Sequence, residues 1–454
     1  PINITIKEIL ENYEEGKKIS IAGRLMSMRI MGKTSFADIQ DDSGRMQIYV
    51  IRDEISQDTY IIFKKLLDIG DIIGVKGFIF KTKLGEITIF VKELCLLSKS
   101  LRPIPPVKID SNGKMHYNFS NPEQRYRMRY VDLIVNKHIK DIFIKRNQII
   151  QFIRQYFNKK GYIEVETPIL HPIPGGAIAK PFVTYHNALN IPLYLRIANE
   201  LYLKRLIVGG FKGVYEFAKD FRNEGMDRIH NPEFTILELY VAYKDYYWMM
   251  DFIDSMIENM LLSIIKSTKI KINNNTINFK APFIRIPILK AIKQHTNLDI
   301  SKMDKETLLK NCKKLGINTT HDMDKGKIID EIFSEKCEKH YIQPTFIIDY
   351  PIEMSPLTKK HRNNKYLTER FELIINGQEI ANAYSELNDP IDQLERFKEQ
   401  IKIYNKNESN IDYDFIRSLE FGMPPTAGIG IGIDRLVMLL TKQNSIQEVL
   451  LFPQ

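Results

Sequence analysis

The chain has 454 residues, 44% hydrophobic and 27% charged, with a net charge of +9. That length allows two or three domains with a large core, and no apolar run approaches the ~20 residues a membrane helix needs. Cys95, Cys312 and Cys337 form no CxxC or zinc spacing, which excludes a disulfide scaffold and predicts reduced thiols in a cytoplasmic protein. The opening PINITIKEILENYEEGKK is interrupted by acids and does not read as a signal peptide. The basic balance suits a polyanionic partner, yet the Ile, Lys and Asn bias of an AT-rich genome would produce it regardless.

In chain order, alternating residues predict strands at Ile19–Ile30, Thr34–Gln40, Arg45–Val50, Asp71–Phe80 and Glu86–Leu97, with an amphipathic stretch at Asp58–Leu67. Five short strands with a helix after the third is the order of an OB-fold barrel, assigned to residues 1–105. Gly32-Lys33-Thr34 is no phosphate loop, because Ser27 stands where that motif needs glycine. Arg102-Pro103-Ile104-Pro105-Pro106 is stiff and leads into a linker over 106–135. From residue 136 the pattern becomes α+β, with a helix at Lys137–Lys159, a strand at Tyr162–Val165 and a helix at Glu200–Val208. Residues 251–340 read as a helical insertion without a chemical motif.

Val214–Tyr243 reads as two strands around a turn-rich loop, Gly225–Pro232. Period 2 puts Glu216, Asp220, Arg222 and Glu224 on one face of the first strand, and Phe234, Glu238 and Tyr240 on one face of the second. Charged groups rarely face a core unless paired or bound to something, so the pair is either a site or a surface hairpin laced with ion pairs. Further on, Asn376-Gly377 predicts a tight hairpin with residue 372 opposite 381, which puts Glu372 and Glu379 on one face. Carboxylates so placed favour a metal between them. Alternation then separates Glu379 from Glu386; if both face ligands, a bulge near Ile380–Ala383 is required. Alternating glycines in Gly428–Gly432 bare one strand face, so a flat base could approach the backbone, with Arg435 over it.

These segments carry a resemblance. Phe221-Arg222-Asn223-Glu224 with His230 and Phe234 resembles motif 2 of the class II aminoacyl-tRNA synthetases. Lys160–Pro168 resembles motif 1, and Gly428–Arg435 resembles motif 3. Each is weak alone; in this order and at these separations they are specific. Ile173–Ala177, Glu200–Arg205, Ser385–Asn388 and Pro424–Gly428 resemble the lysine-specific branch of the family.

The resemblance implies a catalytic domain over 136–454, with a mainly antiparallel sheet flanked by helices, and a homodimer formed through motif 1. It implies ATP-dependent activation of L-lysine, with Mg²⁺, and transfer to the 3′ end of tRNA(Lys). Carried over residue by residue, lysine would meet Gly176, Glu200, Arg222, Tyr240, Asn382, Tyr384 and Glu386, the last holding the ε-ammonium. ATP would meet Arg222, Glu224, His230, Asn231, Phe234 and Arg435; Arg222 and Arg435 would be catalytic, and Glu372 and Glu379 would hold the metal. Anticodon bases would lie against Arg29, Phe36, Gln47 and Glu86. Ala381 and Ala383 replace glycines usual in that branch and would narrow the pocket, while Asn199 replaces a proline and should serve as an N-cap. The rival readings are aspartate or asparagine charging, which Glu386 opposes, a protein-modifying paralogue, and a catalytically dead relative.

Overall fold

The computed structural model describes residues 2–105, 107–109, 115–117, 119–177, 179–321, 323–403 and 411–454, with the backbone alone at 107–109, 115–117 and 403. The chain divides into two compact units, Pro1–Asn136 and Lys137–Gln454.

In the first unit, a capped helix α1 (Ile6–Glu11) precedes strands β1 (Lys18–Met31), β2 (Thr34–Gln40), β3 (Arg45–Ile51), β4 (Ile72–Lys81) and β5 (Ile87–Ser98). They close a barrel in the order β1-β2-β3-β5-β4, with β3 and β5 parallel. Alternate residues such as Ile19, Ile21, Ile48, Val50, Ile73 and Val75 fill it, so each strand points one face inward. The stretch after β3 is a short helix α2 (Gln57–Ile61) running into a π-turn, and Phe63 plugs the core. The expected linker departs from expectation. Residues 106, 110–114 and 118 lie outside the described residues, and the described ones form two paired strands, β6 (Val107–Ile109) and β7 (Met115–Tyr117), then helices α3 (Pro122–Arg127) and α4 (Arg129–Val135). Asn121 caps α3 and Pro122 sits at its start, a start signal that the linker reading passed over.

The second unit opens with α5 (Lys137–Lys159), which buries Ile139, Ile142, Ile149, Ile153 and Phe157 along one stripe. Short strands β8 (Ile163–Glu164), β9 (Leu170–His171), β10 (Val183–His186) and β11 (Ile191–Leu195) lead to helix α6 (Glu200–Val208). Strands β12 (Gly213–Phe221) and β13 (Glu233–Ala242) follow, then α7 (Tyr246–Ile264). The insertion is not wholly helical. It holds a hairpin, β14 (Lys269–Ile272) and β15 (Asn275–Asn278), and an edge strand β16 (Ile284–Pro287), before helices α8 (Ile288–Thr296), α9 (Lys305–Lys314) and α10 (Lys325–Lys336). Lys-Ile-Lys-Ile at 269–272 alternates with period 2, which outweighs the helical composition around it.

Strands β17 (Thr345–Ile348), β18 (Lys360–His361), β19 (Asn364–Thr368), β20 (Arg370–Ile375), β21 (Gln378–Ser385) and β22 (Thr426–Gly432) complete the strands, with helices α11 (Pro390–Ile403), α12 (Tyr413–Glu420) and α13 (Ile433–Thr441). Eight strands form one sheet, β16-β17-β20-β21-β22-β13-β12-β8, antiparallel except at its two ends. The sheet and its flanking helices make the unit α+β, as expected. In the β20–β21 hairpin, Glu372 pairs with Asn382, not with residue 381, because the register shifts between Leu373 and Ile374. Ile380 is the extra residue of a bulge, within the predicted range, and it returns Glu379 to the face shared by Asn382 and Tyr384.

Candidate active site

One cavity of about 580 Å³ opens on the face of the sheet formed by β12, β13, β21 and β22. Its walls gather Gly176, Glu200, Arg222, Glu224, His230 and Asn231 with Phe234, Tyr240, Glu379, Asn382, Tyr384 and Arg435. Sequence periodicity placed Arg222 and Glu224 on a strand, but β12 ends at Phe221 and both lie in the loop beyond it. Gly176 has φ +85°, a conformation that needs glycine.

One end is cationic. Arg222 stacks over the Phe234 ring at 5.0 Å, and its buried Nε finds no hydrogen-bond partner among the described residues. An orphaned, buried, charged donor is costly unless a ligand satisfies it. Arg435 donates to the Glu379 carbonyl at 3.0 Å and lies 3.0 Å from His230 Nε2. Since arginine only donates, Nε2 accepts, and His230 Nδ1–H donates to Asp227 at 2.8 Å.

The other end is anionic and more deeply buried. Glu238 receives the Tyr240 hydroxyl at 2.9 Å, and burial, reinforced by Glu200 and Asp220, pushes its carboxyl well above the usual range. Glu386 does not surface in the cavity. It is 1% exposed, ion-paired with the fully buried Lys204, and its Oε1 has no hydrogen-bond partner among the described residues. Asn382 Oδ1 accepts from Arg370 Nε at 3.1 Å, which leaves its NH₂ group to donate.

Gly428 and Gly430 correct the reading of the glycine strand. A Cβ on Gly428 would stand 1.9 Å from Glu386 Oε1 and 2.5 Å from the Tyr240 ring; one on Gly430 would stand 2.7 Å from Glu238 Oε1. These glycines make room for acidic and aromatic side chains rather than for a base. Only at Gly432 would a Cβ meet nothing closer than ordinary contact, 3.7 Å from the Ile380 carbonyl and 3.8 Å from the Arg435 side chain. Asn199 makes no capping bond; its amide donates to Glu216 instead, at 2.8 Å. Ala381 and Ala383 share the buried face of β21, opposite Asn382 and Tyr384; Ala381 still borders the cavity, whereas Ala383 does not line it.

Glu372 lies behind the wall, paired with Arg370. Burial, together with Glu379 and Asp330, lifts its carboxyl to about 8 against the pull of Arg370. No group of three or more metal-ligating side chains is preassembled among the described residues. The sequence put Glu238 on the same face as Phe234 and Tyr240 but gave it no role in a site, and it missed Lys204 and Arg370. The Glu200–Lys204 spacing of one helical turn was the available signal for Lys204.

Asp220, on the same wall, is buried; desolvation raises its carboxyl to about 7 although Arg196 and Arg222 oppose this. The unfolded chain gives up that proton near 3.8, so stability is full at low pH and falls as pH rises from about 4 to about 7. Asp220→Asn is accordingly expected to stabilise the fold at pH ~8 by up to roughly 4 kcal/mol, read as a higher melting temperature, with the gain vanishing near pH 4. Thermal scans of both proteins at the two pH values check this; a gain independent of pH contradicts it.

In the barrel, Arg29 pairs with Phe36 across β1 and β2, and Phe36 lies 4.7 Å from the Tyr49 ring. Tyr49, Phe80, Phe90 and Phe78 continue a half-exposed aromatic surface that the sequence reading reduced to Phe36. Gln47 is buried and accepts from Thr88 Oγ1 at 3.1 Å, while Glu86 is exposed.

Comparison with known proteins agrees with this geometry. Residues 19–97 match the OB-fold nucleic acid binding domain family, and residues 121–454 match the class II tRNA synthetases of the D, K and N group. The chain is 61% identical to the lysine–tRNA ligase of Porphyromonas gingivalis, over all of this chain and 80% of the relative. It is 58% identical to that of Christiangramia forsetii, over all of this chain and 81% of the relative, and 60% identical to that of Azobacteroides pseudotrichonymphae, over 98% and 91%. With motifs 2 and 3 meeting at one charged cavity, an OB-fold unit earlier in the chain and relatives of this identity over the whole of it, the chain belongs to the class II tRNA synthetases of the D, K and N group.

Proposed function

We propose that this chain is a lysine–tRNA ligase, which activates L-lysine with ATP and transfers it to tRNA(Lys). The observation that carries this is the polarity of the cavity: Glu200 and Glu238, backed by Glu386, at one end, and Arg222 and Arg435 at the other. A di-ammonium amino acid fits the first and a triphosphate the second. Lysine's α-ammonium meets Glu200, its ε-ammonium meets Glu238, Tyr240 and the charge of Glu386, and its carboxylate meets Asn382 and Arg222. An aspartate side chain would face carboxylates there, which disfavours that rival.

The attacking carboxylate is already ionised, so no base is required. Arg222 aligns it with the α-phosphate and neutralises developing charge, while Arg435 lies over the purine. Glu379, which lines the cavity, and Glu372, on the same face of the hairpin, are hard oxygen donors that would hold a Mg²⁺ ion. When bound, that ion supplies charge neutralisation on the phosphates.

Two further readings accompany this. Ile163, Ile169, Leu170, Val183, Tyr185 and Leu189 are each at least 46% exposed, and β8 is a sheet edge; an apolar surface of this kind supports a homodimer through motif 1. No helix among the described residues is long and apolar enough to cross a membrane, and the cytoplasm is the proposed location. Charging of tRNA(Lys) with labelled lysine, followed on acid gels, tests the overall reaction; charging with asparagine or aspartate instead would overturn it.

For the barrel, Phe36→Ala is expected to raise the KM for tRNA by roughly tenfold while leaving tRNA-independent pyrophosphate exchange unchanged, because one base loses its stacking partner. Charging kinetics measured beside the exchange assay decide; an unchanged tRNA KM removes Phe36 from the interface.

A further inference from the structure

Lys204 sits on the inner side of α6, fully buried, with its ammonium ion-paired to both Glu200 and Glu386. Its charge also lies 5.6 Å from the Tyr384 ring and 6.0 Å from the Phe415 ring. Three buried carboxylates therefore surround the amino-acid end of the cavity (Glu200, Glu238 and Glu386), and the protein supplies one ammonium among them. The proposed substrate brings two more. We propose that Lys204 is a positioning residue, the resident third cation that leaves room for two substrate ammonium groups and no fewer. This rests on the reading of Glu200 and Glu386 as the lysine-binding carboxylates.

The physical reasoning is charge balance in a site shielded from water. Buried carboxylates that lack counter-charges take up protons. Burial by itself works against the charge on Lys204, yet Glu200 and Glu386 more than offset it and raise its pKa. In return, Lys204 opposes the upward push that burial exerts on Glu386. The other ionisable groups facing this cluster are Tyr240 on β13, Tyr384 on β21 and Asp220 on β12; on α12, Asp412 and Asp414 are engaged by Arg205 rather than by Lys204. Without Lys204, one further carboxyl must lose a proton before lysine can bind.

The test is Lys204→Met, which keeps the length of the side chain and removes its charge. The KM for lysine in pyrophosphate exchange is measured from pH ~6 to ~7.5, below the range of about 7.7–8.0 in which an α-ammonium gives up its proton, so both substrate ammonium groups stay charged. The expected result is a rise in that KM at neutral pH, with a dependence on pH steeper than wild type by about tenfold per pH unit, falling as pH rises. The KM for ATP stays within about twofold. A loss that is equal at every pH would mean that Lys204 only packs, and overturns the proposal. The paired variant Lys204→Met with Glu200→Gln removes one cation and one anion, so no surplus buried charge threatens its folding. Its slope is expected to return to the wild-type value although a substrate contact is gone; a slope that stays steep overturns the proposal. Glu386→Gln separates the two levels. If it leaves the KM for lysine unchanged, the reading of the pocket fails, whatever Lys204 does.

Discussion

Gly428→Ala is expected to abolish lysine-dependent pyrophosphate exchange, by a factor of 10³ or more, in a protein that still folds. The new methyl group would stand 1.9 Å from Glu386 Oε1 and 2.5 Å from the Tyr240 ring, far inside contact distance. Neither neighbour can yield easily, since Glu386 is held by Lys204 and both side chains are almost fully buried. Gly428 itself does not adopt a positive φ, so the backbone accepts alanine and the strain falls on the side chains. Overpacking of this kind costs about 1–3 kcal/mol of stability, which a unit of this size absorbs. The displaced tyrosine, however, no longer meets the substrate, and the charge of Glu386 behind the wall is moved away from it. Exchange kinetics together with a thermal scan check the two halves. Activity within tenfold of wild type would show that the Glu386 end takes no part in binding.

The second large effect is expected at Arg222. Its guanidinium is oriented by Phe234 on one side and by the backbone bond from its own N–H to Pro232 at 2.8 Å, with a buried Nε left unsatisfied. Arg222→Lys keeps the charge but replaces a planar fork with a point donor, which cannot bridge a carboxylate and a phosphate together. Loss of one such donor in a dry site costs roughly 10²–10³ in rate. We expect kcat for adenylate formation to fall by that factor while the KM for lysine changes only severalfold, because Asn382 still holds the carboxylate. Single-turnover measurement separates the two; a change confined to KM would make Arg222 a binding group alone.

Much of this arrangement was legible in the residues, for identifiable reasons. The barrel strands announced themselves because each has one buried and one exposed face, so alternation was preserved. The bulge at Ile380 followed from the demand that Glu379 and Glu386 serve one face, a constraint that needs no coordinates. What escaped were features that depend on what lies across the sheet. Gly428 and Gly430 looked like a platform for a base until Glu386 and Glu238 were seen to fill the space above them. Lys204 belongs to a segment already quoted for its resemblance, yet only the packing of α6 on the sheet shows that its ammonium reaches Glu386. Likewise, Asn199 has the side chain of a good cap, but Glu216 offers its amide a charged acceptor. In each case a tertiary partner outweighed a local preference.

The most direct measurement is pyrophosphate exchange into ATP, in the absence of tRNA, with each of the twenty amino acids in turn. Exchange with lysine alone is the expected result, since only lysine matches an ammonium group to each end of the acidic pocket. Exchange with aspartate or asparagine, or with no amino acid at all, would contradict the assignment of Glu238, Tyr240 and Glu386 to a lysine side chain.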